Sequence, residues 1–425
     1  MYLLTNFSSW LLPLGIFSVT GATISFMTPI LGLNSRWMFT ILLFILVFAR
    51  FRFQGLLNTK INQIILLNVF WAALTIAWSE VPLLSAMKVF AYGLMTITFF
   101  YSGFVWVIRS SLQRAVDFLW LTVLFTFLAA ILGLGSAKAN VATGAADLYQ
   151  GLVDGPNMMG SLLMMCTPLL LWRCYAMWKK NEWRIFWISC LVVEFIFLMK
   201  ANSRAALVAS LFCVISIVYS LGYRKWVPIV TSIFMLILTL LLISPDIYDR
   251  AVSKYVFKSA SEQQGVLYTR ATVWEESFRL AKLGGLFGGG YGVTIGDESF
   301  KGGLTSVGYG REKGNSQMAI AEEVGLIGLI LYVIFVLSLY AYQMKMFFLT
   351  RNKHLRVLLG ISMGMITGLI FQSVFEAWWV SPGSPEFVYF WAIVGFSLGA
   401  CHLIKQDYRQ SLKQQENVIN QSGYD

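Results

Sequence analysis

Long uninterrupted apolar runs dominate the chain. They lie near residues 9–32, 36–50, 61–78, 83–107, 115–135, 157–177, 184–199, 205–222, 226–244, 318–344, 355–377 and 386–404. A helix crossing a bilayer needs roughly 20 such residues. Lipid cannot satisfy open backbone groups, and these runs lack the alternation of barrel strands, so helices are the only open choice. The expectation is an all-α, polytopic membrane bundle of about twelve transmembrane helices.

Composition agrees. The 425 residues are 57% hydrophobic and 12% charged, against ~25% charged in an ordinary soluble domain. A soluble enzyme and a disordered chain are both excluded. The first run has no positive segment before it and a second run follows at once, so it reads as an uncleaved span and not a signal peptide. The five cysteines lie in apolar runs or at their edges and form no CxxC pair. With two histidines besides, no disulfide, metal site or cofactor is expected.

The net charge of +11 follows the loops. With the N-terminus inside, the cytoplasmic connections and tail carry eighteen Lys and Arg, including Arg50, Arg109, Lys179, Arg184, Lys345 and Lys405. The short outer connections carry four: Arg36, Lys138, Lys200 and Arg204. That bias places both termini in the cytoplasm and needs no nucleic acid to explain it. Residues 1–244 would hold nine spans, 245–317 a large, partly helical external cap between spans nine and ten, 318–404 three further spans, and 405–425 a cytoplasmic tail. In the cap, Thr269–Leu283 has helical spacing. No repeat of 20–50 residues is visible.

Several groups invite chemistry. Lys200 and Arg204 share one external turn against the orientation bias; they bind an anion or snorkel to lipid headgroups. In the cap, Arg270 and Trp274 precede a glycine run from Gly284 to Gly292. That run is a flexible turn or a site of close ligand approach. Arg270 either meets a phosphate or pairs with Glu275 or Glu276, and Arg279 follows on the same segment. Glu322 and Glu323 at the tenth span suit a helix N-terminus, while Glu323 could also orient an acceptor hydroxyl. Gly325 and Gly328 read as close helix packing. Among intramembrane groups, Lys88 and Glu194 are functional or neutralise each other, and Glu376 closes the eleventh span. Trp378 and Trp379 fit an interfacial belt.

These segments, in this order, resemble the O-antigen ligase and polymerase superfamily of bacterial envelope glycan assembly. The resemblance rests on Gly155-Pro-Asn157 with Gly160, Asn202-Ser-Arg204-Ala-Ala-Leu207, and Arg270-Ala-Thr-Val-Trp274 leading into Gly288–Gly292. It ends with Gly314-Asn-Ser-Gln317 and Glu323-Val-Gly325. It implies a multi-pass protein of the bacterial inner membrane acting on an undecaprenyl-diphosphate-linked glycan donor and acceptor. Arg204 and Arg270 would contact the donor diphosphate, with Lys200, Asn157, Trp274, Asn315 and Arg279 around the substrate. A chain-length regulator protein is a partner the resemblance admits.

Ligases carry His where this chain has Gly314, which shifts the expectation toward a repeat-unit polymerase over a ligase. The chain has no DxD pair to chelate a metal. Arginines would stabilise the leaving diphosphate instead. A secondary transporter is the alternative of another class, but no pair of broken spans in related halves is visible.

Overall fold

The computed structural model describes residues 11–22, 24, 35–51, 59–109, 112–134, 137–140, 145–153, 155–179, 181–201, 203–223, 225, 268–295 and 313–422. Twelve α-helices lie among them. They are α1 (Leu11–Gly21), α2 (Ser35–Phe51), α3 (Lys60–Leu74), α4 (Pro82–Arg109), α5 (Leu112–Leu132) and α6 (Pro156–Ala176). The rest are α7 (Asn181–Lys200), α8 (Arg204–Ser220), α9 (Tyr268–Gly284), α10 (Ser316–Leu349), α11 (Lys353–Gln372) and α12 (Pro385–Ser422). Five segments are long and apolar enough to cross a membrane: Lys60–Trp78, Pro82–Ile108, Ser316–Leu349, Lys353–Gln372 and Pro385–Gln414. The apolar run at 226–244 lies outside the described residues.

Local sequence explains where the helices start. Asn315 caps α10 by accepting from the Met318 amide at 2.9 Å, and Asn352 caps α11 through the His354 amide at 3.0 Å. At α6, Gly155 precedes Pro156 in the first helical position, where the missing N–H costs nothing. Between α5 and α6, β1 (Ala137–Asn140) and β2 (Ala145–Tyr149) form an antiparallel hairpin.

The core sits around α12. Gly103 of α4 and Gly395 of α12 let the two backbones touch: an added Cβ would fall 2.3 Å from the Ala392 carbonyl oxygen and 2.1 Å from that of Phe100, respectively. Trp378 and Trp379 pack with Phe335, Phe390 and Trp391 and are each 4% exposed. The belt expected there is therefore a buried aromatic cluster. Toward the outside, Met38, Leu42, Ile45 and Phe48 of α2 and Ile185, Phe186, Val192 and Phe195 of α7 are exposed. An apolar exterior of this extent is foreign to a water-facing surface.

A second glycine seam runs along α11. Gly360 meets Ser220 of α8, Gly364 meets Cys213, and Gly368 meets Ala209 of α8 and Met164 of α6. Each turn of α11 therefore answers one turn back along α8, and the helices run antiparallel. Following that register, the end of α11 comes opposite the first turns of α8 and α6.

Candidate functional site

Five helix ends meet where that seam terminates. The Asn157 amide in the first turn of α6 donates to the Glu376 carboxylate just beyond α11. One turn into α6, Gly160 touches Ser203 and Ala206, at the start of α8 that Arg204 opens. The Ser316 hydroxyl at the start of α10 donates to the Glu376 carbonyl at 2.8 Å. Trp274 of α9 stacks near Phe375 and donates its indole N–H to the Gly314 carbonyl at 3.1 Å. Next to them, the first turn of α12 brings Glu386 against Ser161 and within the field of Glu376.

The residues singled out from sequence divide here. Asn157, Arg204, Trp274 and Asn315 belong to this one end of the bundle. Arg204 is half-buried in the first turn of α8. By its backbone Arg270 lies in the first turn of α9, one turn before Trp274; its side chain lies outside the described residues, as does Asn202. Lys200 ends α7 and is exposed. Asn315 spends its side chain on structure: the oxygen caps α10 and the amide donates to the Val374 carbonyl at 2.9 Å.

Arg279 stands apart. It is exposed and forms a two-pronged bond with Glu276, at 2.6 and 2.8 Å. That hydrogen bond and the Glu276 charge raise its pKa. The sequence reading placed Arg279 on the substrate and offered these acids as an alternative partner for Arg270; Glu276 is held by Arg279, because i,i+3 residues share a helix face.

Glu323 also has another task. It is 2% exposed; one oxygen accepts the Gly292 amide at 2.7 Å and the other meets the Lys313 ammonium at 2.7 Å. The carboxylate expected to orient a hydroxyl is thus committed to holding the glycine run. Backbone bonds to α10 hold that run in place. Gly289 and Gly290 donate their amides to the Glu322 and Glu323 carbonyls, at 3.0 and 2.9 Å, and Leu326 donates to the Gly285 carbonyl at 2.9 Å.

This exchange of backbone bonds requires α10 to break. Gly325 has φ +74° and ψ −177°, outside the helical region, so its role exceeds the close packing expected of it. The Val324 carbonyl released by the break takes the Trp71 indole N–H at 2.8 Å. Lys88 caps the arrangement by donating to the Gly292 carbonyl at 2.7 Å. Glu194 instead accepts from Thr167 at 2.8 Å, so the proposed Lys88–Glu194 neutralisation does not form. Tyr291 is buried here, its hydroxyl without a partner among the described residues. Burial, then the Tyr92 and Glu323 charges, push that phenol well above its usual pKa.

Sequence reasoning missed Gln372. It is 2% exposed, and neither its amide nitrogen nor its amide oxygen has a hydrogen-bond partner among the described residues. Its signal was a glutamine ending an apolar run, four residues before Glu376. No protein-family model matches the chain, and no curated protein matches it in sequence.

Proposed function

We propose that the chain is a polymerase of undecaprenyl-diphosphate-linked oligosaccharide repeats, working at the outer face of the bacterial inner membrane. The apolar exterior and the long apolar helices support a multi-pass membrane protein. The apolar runs support about twelve spans, and the loop charges support both termini in the cytoplasm, which puts the junction of helix ends outside.

One observation carries the chemistry: α6, α8 and α10 all begin at that junction, with Arg204 at the tip of α8. Helix N-termini present unpaired N–H groups and positive dipole ends, which suit an anion. A guanidinium adds a fork of donors matched to phosphate oxygens. Arg270, on the neighbouring first turn of α9, would join it. The donor's bond to its diphosphate breaks as the acceptor oxygen attacks the anomeric carbon, and the arginines stabilise the departing charge. Donor and acceptor are both carrier-linked glycans, and a chain-length regulator is the expected protein partner.

Gly314 favours polymerase over ligase. A Cβ there would lie 2.7 Å from Cγ1 of Val273, so the side chain that ligases place at this position would press on Val273. The transporter reading draws on the broken α10, but Trp71 already takes the carbonyl that the break releases.

The test is purified protein with its lipid-linked repeat and no added metal. Oligomers should form, and Arg204→Ala or Arg270→Ala should abolish them while the protein still accumulates in membranes. Normal chain ladders from both variants would remove the mechanism. In cells, loss of a polymerase leaves single repeats on the carrier, whereas loss of a ligase leaves long chains there. Uptake of a labelled solute by proteoliposomes without lipid-linked glycan would favour transport.

A further inference from the structure

The proposed reaction needs a group to take the proton of the acceptor hydroxyl, and Glu323 is committed elsewhere. The end of α11 supplies another. Gly360, Gly364, Gly368, Gln372 and Glu376 recur every four residues, and each step turns about 40° around the helix, so the row drifts from α8 toward α6. The three glycines of that row touch α8 and α6, and Glu376 touches Asn157 of α6. α11 ends at Gln372, and the Phe375 and Glu376 amides both bond its carbonyl, at 2.8 and 3.0 Å, so a single tight turn separates Gln372 from Glu376. Along this row Gln372 stands between the contact of Gly368 with Met164 and Ala209 and that of Glu376 with Asn157.

Burying an amide without partners costs about 1–3 kcal/mol. At 2% exposure, with both polar atoms unmatched among the described residues, Gln372 bears this cost at the junction of helix ends. An amide offers both donors and an acceptor, the complement of a sugar's hydroxyls. Two carboxylates stand at the same junction: Glu376, just beyond α11 and bonded by the Asn157 amide, and Glu386, in the first turn of α12 against Ser161. Arg204 opens α8, the helix along which the glycine row packs.

We propose that Gln372, Glu376 and Glu386 form the acceptor subsite, which binds the hydroxyl-bearing sugar of the incoming repeat, with Glu376 as its general base. The acceptor O–H proton passes to the Glu376 carboxylate as its oxygen forms the new bond to the anomeric carbon. The anomeric carbon's bond to the diphosphate oxygen breaks, and its electron pair leaves with the diphosphate beside Arg204. Glu386 and Gln372 position the sugar. The assignment rests on the polymerase reading and adds to it the group that handles the acceptor.

The test uses full-length protein in nanodiscs with the lipid-linked repeat from its own strain, with undecaprenyl diphosphate as a separate binding probe. Glu376→Ala should bind the probe as the wild type does and form oligomers at least ~100-fold more slowly, the usual span for a lost general base. Added formate should restore part of that rate, which it would not do for a carboxylate that only holds the fold. Gln372→Leu should raise the half-saturating repeat concentration at least ~10-fold with no fall in melting temperature, because the amide has no partner among the described residues to lose. Wild-type rates in Glu376→Ala, or slow rates that formate leaves unchanged, overturn the assignment. If Glu376→Ala does not accumulate, Gln372→Leu decides: an unchanged half-saturating concentration overturns it too. Failure of wild-type protein to make any oligomer would instead overturn the polymerase reading.

Discussion

Gly325 and Leu286 lie backbone against backbone: a Cβ on Gly325 would fall 2.3 Å from the Leu286 carbonyl oxygen. The contact joins the break in α10 to the glycine run after α9, and both sides depend on glycine.

Gly325→Ala should therefore destabilise strongly. The backbone conformation alone costs a side chain about 1–3 kcal/mol, and the clash is with a carbonyl that cannot rotate away. Gly285→Ala is the control: its φ is +56° but no atom lies within 4 Å, so only the conformational part should be lost. Thermal unfolding in detergent should rank Gly325→Ala well below Gly285→Ala; equal losses would mean that the close approach is unimportant.

Lys313 and Glu323 form a buried pair, the lysine side chain 10% and the glutamate 3% exposed. Removing one partner strands the other charge and typically costs about 3–5 kcal/mol, whereas replacing both with apolar groups of similar size is often tolerated. Lys313 also lies 3.4 Å from the buried Glu322. Lys313→Met, which strands two carboxylates, should therefore lower the melting temperature more than Glu323→Met, and adding Glu323→Met to it should recover part of the loss. A double variant at the sum of the two losses would contradict this.

Gly314→His should not convert the chain into a ligase. It should destabilise the protein by pressing on Val273, and Val273→Ala in the same chain should relieve most of the loss. Melting temperatures of the two variants check the packing. Glycan attached to lipid A core or protein in the double variant would show that the missing histidine alone separates the two activities.

Arg279→Ala should leave polymer length and yield at wild-type levels. Its guanidinium is exposed and its bond to Glu276 stays within one helix, where such pairs contribute little. Chain ladders shortened in this variant would return Arg279 to the substrate.

The helices were readable because apolar runs of spanning length have few other solutions. The cap helix at Tyr268–Gly284 likewise follows from Val273, Trp274, Ser277 and Leu280 at helical spacing. Two kinds of feature were not legible. Glu323, Lys313 and the amides of Gly289 and Gly290 find partners far along the chain, and spacing carries no record of such contacts. Trp379 reads as an interfacial residue until Phe335, Phe390 and Trp391 are seen around it. At the junction, Asn157 came with the family resemblance, Arg204 from a cation in an external turn against the charge bias, and Trp274 from its place one turn after Arg270. Gln372 was not legible, because its interest lies in being buried without a partner, which only three-dimensional packing reveals.

The seam of Gly360, Gly364 and Gly368 leaves only the small side chains of Ser216 and Ser220 between α8 and α11. Two rods pressed together so closely slide or tilt only as one piece. The ends that carry Arg204 and Glu376 are thus positioned by one and the same contact between helices. Whatever enters between them must adapt its own shape to that arrangement.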